Sequence, residues 1–135
     1  MNFQMRFHLE KTETMNRIAS SITILILTIT NLMAIQIPEK PYPPRLVNDL
    51  AQMLSPEQVA ALENKLVAFS NSTTTQIVVI TVKSLNGTEK SLFATEIGHQ
   101  WGVGQGDFDN GIVLLVKEQT PEESGEGFIA TGYGR

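Results

Sequence analysis

The sequence predicts an α/β fold, a three-layer α/β/α sandwich around a mixed, mostly parallel central sheet. Three observations predict it. Two β-branched runs, Gln76–Val82 and Ile112–Val116, alternate poorly, which marks strands covered on both faces. An amphipathic helical stretch separates them, so they are expected to pair in parallel through a right-handed crossover. A third run, Phe128–Thr131, follows a link of about ten residues, short enough for an antiparallel neighbour.

Taken in order, the chain opens on a polar stretch and then an uncharged, apolar one from Ile18 to Ile35. Arg17 stands just before it and no charge follows until Glu39. This is the layout of a secretory signal peptide, and residues 1–37 are assigned to one. Met15 offers a compact alternative start. An uncleaved N-terminal membrane anchor over residues 18–35 is the competing reading, although Ser20, Ser21, Thr23, Thr28, Thr30 and Asn31 dilute the span. A cut after Ala34 would leave Leu32 at the −3 position, where a small residue is preferred. Both readings place the remainder outside the cytoplasm, in the periplasm or cell envelope.

Residues 38–45 form a Pro-rich spacer, with four prolines between Pro38 and Pro44. Residues 46–135 are assigned to the folded domain. Ser55-Pro-Glu-Gln58 starts a helix, with Ser55 as cap, Pro56 in the first turn and Gln58 completing a capping box. Val59, Leu62, Leu66 and Phe69 give it one apolar stripe. Asn71–Thr75 ends it, ahead of the first strand. Leu85-Asn86-Gly87 is a turn, and Thr88 is expected to cap a second helix with Phe93, Ile97 and Trp101 on its inner face. Gly102 suits the left-handed position beyond that helix. A Gly/Asp-rich loop then leads into the second strand. The acidic stretch Glu118–Gly127 links it to the third.

Composition narrows the function. The chain has 14 acidic and 10 basic side chains and no Cys. Thiol nucleophiles, disulfides and Cys-ligated metals are excluded. The acidic balance argues against nucleic acid, which demands a basic face. There is no Gly-x-Ser-x-Gly elbow and no Ser-x-x-Lys motif. Gly102-x-Gly-x-Gly106 lies between a helix and a strand, the reverse of the order in a dinucleotide loop, so no organic cofactor is expected. His8 lies in the leader and His99 stands alone.

The candidate chemistry is the run Asp107-x-Asp109-Asn110-Gly111. It offers two carboxylates and an amide within four residues, oxygen donors of the kind hard cations take. The same residues also spell an ordinary turn. The spacing does not fit an EF-hand. Asn48 and Asp49 add a second pair of oxygen donors, with local capping as their plainer role.

Several segments in order, Leu46-Val-Asn-Asp-Leu50, Leu54-Ser-Pro-Glu57, Gln76–Val82, Trp101-Gly-Val-Gly-Gln105, Asp109–Val116 and Gly132-Tyr-Gly134, resemble the TPM domain family. That family is named after photosystem II repair proteins of the thylakoid lumen and has bacterial exported relatives. The resemblance implies an α/β/α sandwich with further helices and a fourth strand after Arg135, so the domain is expected to be incomplete. It also implies calcium binding, maintenance of membrane complexes, or acid phosphatase activity. Asn48, Asp49, Asp109 and Asn110 are the family-like polar positions, to which the spacing adds Asp107. The expected metal ligands are therefore Asp49, Asp107, Asp109 and Asn110, for Ca2+ or Mg2+. The expected partner is a membrane or envelope protein complex. A metal-assisted phosphatase is the alternative, weakened by the lack of Arg or Lys between Lys90 and Lys117.

Overall fold

The computed structural model describes residues 3–29, 34–104 and 109–132. They fall into two compact units that divide after Ala34. The first is a helix, α1 (Phe3–Ile29). It takes in the polar stretch from His8 to Glu13 as well as much of the apolar one. Among the described residues no helix is long and apolar enough to cross a membrane.

The second unit contains β1 (Val47–Asp49), α2 (Pro56–Thr73), β2 (Gln76–Val82), α3 (Lys90–Trp101), β3 (Gly111–Lys117) and β4 (Glu126–Thr131). The strands lie side by side in chain order, β1-β2-β3-β4. The first three are parallel and β4 returns antiparallel to β3. The sheet is mixed and mostly parallel, as its patterning implies.

α2 begins as its capping box dictates. The Ser55 hydroxyl accepts from the Gln58 amide, and the Gln58 side chain accepts from the Ser55 amide. It stops where Thr74 enters the left-handed region. Val59, Leu62 and Leu66 of its stripe pack on one face of the sheet with Val47, Val79, Ile77 and Leu114, whereas Phe69, expected on the same stripe, is exposed. α3 is capped by Glu89, one residue later than expected. The Ser91 hydroxyl and amide hold the Glu89 carboxyl below its ordinary range. Phe93, Ala94, Ile97 and Trp101 of α3 bury against Val78, Ile80, Val113 and Leu115 on the opposite face. One helix per face makes the three layers.

Three features depart from expectation. The first is β1, a short edge strand at Val47–Asp49, where the sequence suggested only a polar approach to α2. It pairs with Val79–Thr81 and makes the described sheet four-stranded. The second is β3, which is half-covered. Val113, Leu115 and Lys117 are buried, and Ile112, Leu114 and Val116 are only partly so.

The third is the Pro-rich segment, which is a strap belonging to the domain and not a free spacer. Ile37 packs against the α3-side core. The Trp101 indole donates to the Pro38 carbonyl at 2.9 Å, and the Lys40 ammonium donates to the Trp101 carbonyl at 2.6 Å. The Asn86 amide group donates to the Gln36 carbonyl at 3.3 Å.

Candidate functional site

In parallel strands, the start of β3 and the end of β1 lie at opposite ends of the sheet. That places the expected site residues in two groups. Asp109 and Asn110 precede Gly111, which pairs with Gln76 at the first residue of β2. Asp49 ends β1 and pairs with Thr81. Five residues of strand separate those two levels, roughly 17 Å. Asp49 is therefore not brought together with Asp109 and Asn110. Asp107 lies outside the described residues.

The Asp109–Asn110 end is framed by backbone. Gly104 has φ +88° and a Cβ there would fall 2.7 Å from the Gly111 amide nitrogen, so two chain segments cross with no room for a side chain. A Cβ on Gly111 would run into the Val103 carbonyl in the same crossing. Gln76 holds the frame from β2, its side-chain oxygen accepting from the Gly104 amide at 2.7 Å. The Asn110 side-chain nitrogen donates to the Thr74 carbonyl at 2.8 Å, tying the loop to the end of α2. The Asn110 carbonyl accepts from the Gln76 amide at 3.2 Å. Asp109 and Asn110 are half-buried on this frame.

The other end is organised by Asp49. One carboxylate oxygen accepts from the Thr81 hydroxyl at 2.6 Å and from the Met53 amide at 2.9 Å, and the other from the Leu54 amide at 2.9 Å. Burial opposes its ionisation. The bonds from Thr81, Leu54 and Met53 outweigh that effect and hold its pKa below the ordinary value. Thr81 also accepts from the Ala51 amide at 3.1 Å. Asp49 thus does the plainer of its two expected tasks: it orders the turn between β1 and α2. Asn48 is buried, and its side chain donates to the Arg45 carbonyl.

Two residues at this end were not singled out from sequence. Thr81 closes a β-branched run and gives no pattern of its own. Glu63 of α2 accepts from the Leu46 amide at 3.0 Å and the Val47 amide at 2.7 Å, so a helix carboxylate binds the edge of β1. A cleft of about 860 Å³ opens beside it, lined by Tyr42, Arg45, Asp49, Leu54, Val59 and Glu63 among others. Lys117, at the carboxyl end of β3, is buried with its ammonium 2.6 Å from Glu123.

A hard cation such as Ca2+ takes six to eight oxygen ligands. Among the described residues no three of His, Cys, Asp and Glu come together in a way that could hold a metal. Asp109 and Asn110 supply part of such a set, and Asp49 is committed elsewhere.

The sheet order and the one-helix-per-face layering define an α/β/α domain. The TPM domain profile matches residues 47–135, and the chain belongs to the TPM domain family. A solved structure with the same arrangement is the solution NMR structure of the N-terminal domain of a protein from P. gingivalis. It has 30% sequence identity and a TM-score of 0.57, and the match covers 67% of this chain and 55% of that one. The chain thus spans little more than half of that relative. No curated protein sequence matches it.

Proposed function

We propose that this chain is an exported TPM-domain module of the cell envelope or periplasm. In this reading it binds a divalent cation, Ca2+ or Mg2+, through the 102–111 loop and assists or scaffolds a membrane protein complex. The observation that carries the cation reading is the fixed frame under the loop. Gly104 and Gly111 cross at backbone contact, and Gln76 and Thr74 pin both sides, so Asp109 and Asn110 are presented with little conformational freedom to lose. Asp107 would complete the pair of carboxylates from the same loop. Export rests on the leader-like run from Arg17 to Ile35.

Calcium titration followed by amide NMR tests the cation reading. The amides of Asp109, Asn110 and Gly111 shift, and Asp109→Ala abolishes the shift. Spectra unchanged at millimolar calcium, or equal binding by Asp109→Ala, refute it. Asp49→Asn is the control and leaves calcium binding intact, because Asp49 is at the far end of the sheet. The phosphatase alternative gains nothing from Lys117. That residue is at the opposite end of β3 from Asp109, and Glu123 neutralises it.

A further inference from the structure

Pairing with β2 uses only alternate residues of β1. The Val79 amide donates to the Leu46 carbonyl at 2.7 Å, and Val47 stands opposite Val79. Leu46 and Asn48 therefore face β2, while Val47 and Asp49 face away from it. Glu63 takes the Val47 amide, and the Asp49 carbonyl accepts from the Gln52 amide in the turn that follows. Among the described residues nothing takes the Val47 carbonyl or the Asp49 amide. They are an acceptor and a donor on the same edge, a pair that an added extended strand satisfies with one amide and one carbonyl of its own. Val47 is 2% exposed, so this edge lies deep, where unpaired backbone groups are rare and costly.

The cleft of about 860 Å³ beside Glu63 runs over this edge, and Val47 and Asp49 both border it. One wall is α2, through Val59 and Ala60, and the other is the strap, through Tyr42 and Pro43. The Tyr42 ring is a large apolar surface that the fold itself leaves in solvent. Two carboxylates, Asp49 and Glu63, line the cleft against one guanidinium, Arg45. We propose that the cleft is a docking groove for a short extended peptide of a partner protein, apolar and carrying one Lys or Arg side chain. The peptide adds to β1 through the Val47 carbonyl and the Asp49 amide. Its apolar side chains meet the two walls, and its cation lies near Asp49 and Glu63. Because Glu63 already holds the Val47 amide, a single register is open to it. The groove is at the far end of the sheet from the 102–111 loop and requires neither the cation nor export.

The test titrates the isotope-labelled full chain, free of calcium, with the capped peptide Val-Lys-Val-Thr-Val. The Asp49 amide shifts and becomes slow to exchange, and the amides of Tyr42 and Ala60 move with it. N-methylation of the peptide, one residue at a time, weakens binding about tenfold at one position and little at its neighbours. Glu in place of the peptide's Lys weakens it by about the same factor. Ala60→Trp, at an exposed helix position, fills the groove and abolishes binding while leaving the rest of the spectrum unchanged. An Asp49 amide unmoved at millimolar peptide, full binding by Ala60→Trp, or indifference to N-methylation at every position overturns the proposal. An Asp49 shift that appears on concentrating the protein alone also overturns it, because the groove then belongs to a second copy of the chain.

Discussion

Asp49 illustrates how one carboxylate serves a fold. Its three hydrogen bonds come from a neighbouring strand and from the two amides that open the approach to α2. Asp49→Ala should destabilise the domain by about 1–3 kcal/mol, measured by chemical denaturation. The pH dependence has a definite sign. A carboxyl whose folded pKa is depressed contributes fully above its ordinary value near 4, and that contribution disappears as pH falls through the folded pKa. The stability gap between wild type and Asp49→Asn should therefore be widest near neutrality and close progressively below pH 4. A gap that is constant from pH 7 to 2 would refute the assignment. The sequence showed that Asp49 was either a ligand or a cap. It could not choose, because the deciding partner, Thr81, is 32 residues away and arrives only when β1 pairs with β2.

Elements with strong local chemistry were legible. α2 reads from its Ser-Pro-Glu-Gln start, and β2 from its unbroken β-branched run, because each signal is complete within a few residues. β1 was not legible. Three residues containing Asn and Asp make a poor strand by propensity, and this one persists because its edge is tied down. The Glu63 carboxylate takes the Leu46 amide and the outward Val47 amide, groups that another chain could otherwise pair with. Glu63→Ala should cost about 1–2 kcal/mol and make the amides of Leu46 and Val47 exchange faster with deuterium than those of β2. Unchanged exchange there would show that the edge is held by other means. The strap escaped for a related reason. Proline-rich composition signals an extended backbone, but the partners that dock it, Asn86 and Trp101, lie far along the chain. The steps from β1 to β2 and from β2 to β3 go the same way across the sheet, and α2 and α3 lie on opposite faces. The two connections therefore have opposite hands, and one departs from the usual right-handed rule.

For the whole domain, the distribution of cover decides where substitutions hurt. The α3 side is closed, with Phe93, Ile97 and Val113 fully buried. Among the described residues the α2 side is covered mainly over β1 and β2, with Leu114 of β3 at its margin, and Ile129 of β4, the register partner of Leu114, is 61% exposed. Phe93→Ala should cost about 3–5 kcal/mol. Ile129→Lys should change stability by no more than about 0.5 kcal/mol while lowering self-association in sedimentation experiments, since it breaks an exposed apolar patch. A large loss of stability from Ile129→Lys would mean that this half of the sheet is more closely packed than it looks. The expected cation site was legible as a loop composition and not as a place. Nothing in the residues themselves says that Asp49 and Asp109 end up at opposite ends of the sheet. That follows from strand direction alone.

The strand order also sets a timetable. Because β1, β2, β3 and β4 lie in the sheet as they lie in the chain, each strand emerging N-terminus first meets its partner already in place. No strand has to wait for one made much later, so the sheet can grow by addition at one edge, with little time for unpaired edges to meet other chains. The strap is the exception. Gln36, Ile37 and Pro38 emerge first of all the docked residues, and Pro38 has to wait until Trp101 arrives at the end of α3. Closing of that clasp requires α3 to be in place, so in pulse-labelled refolding the Trp101 indole should gain protection no earlier than the amides of α3.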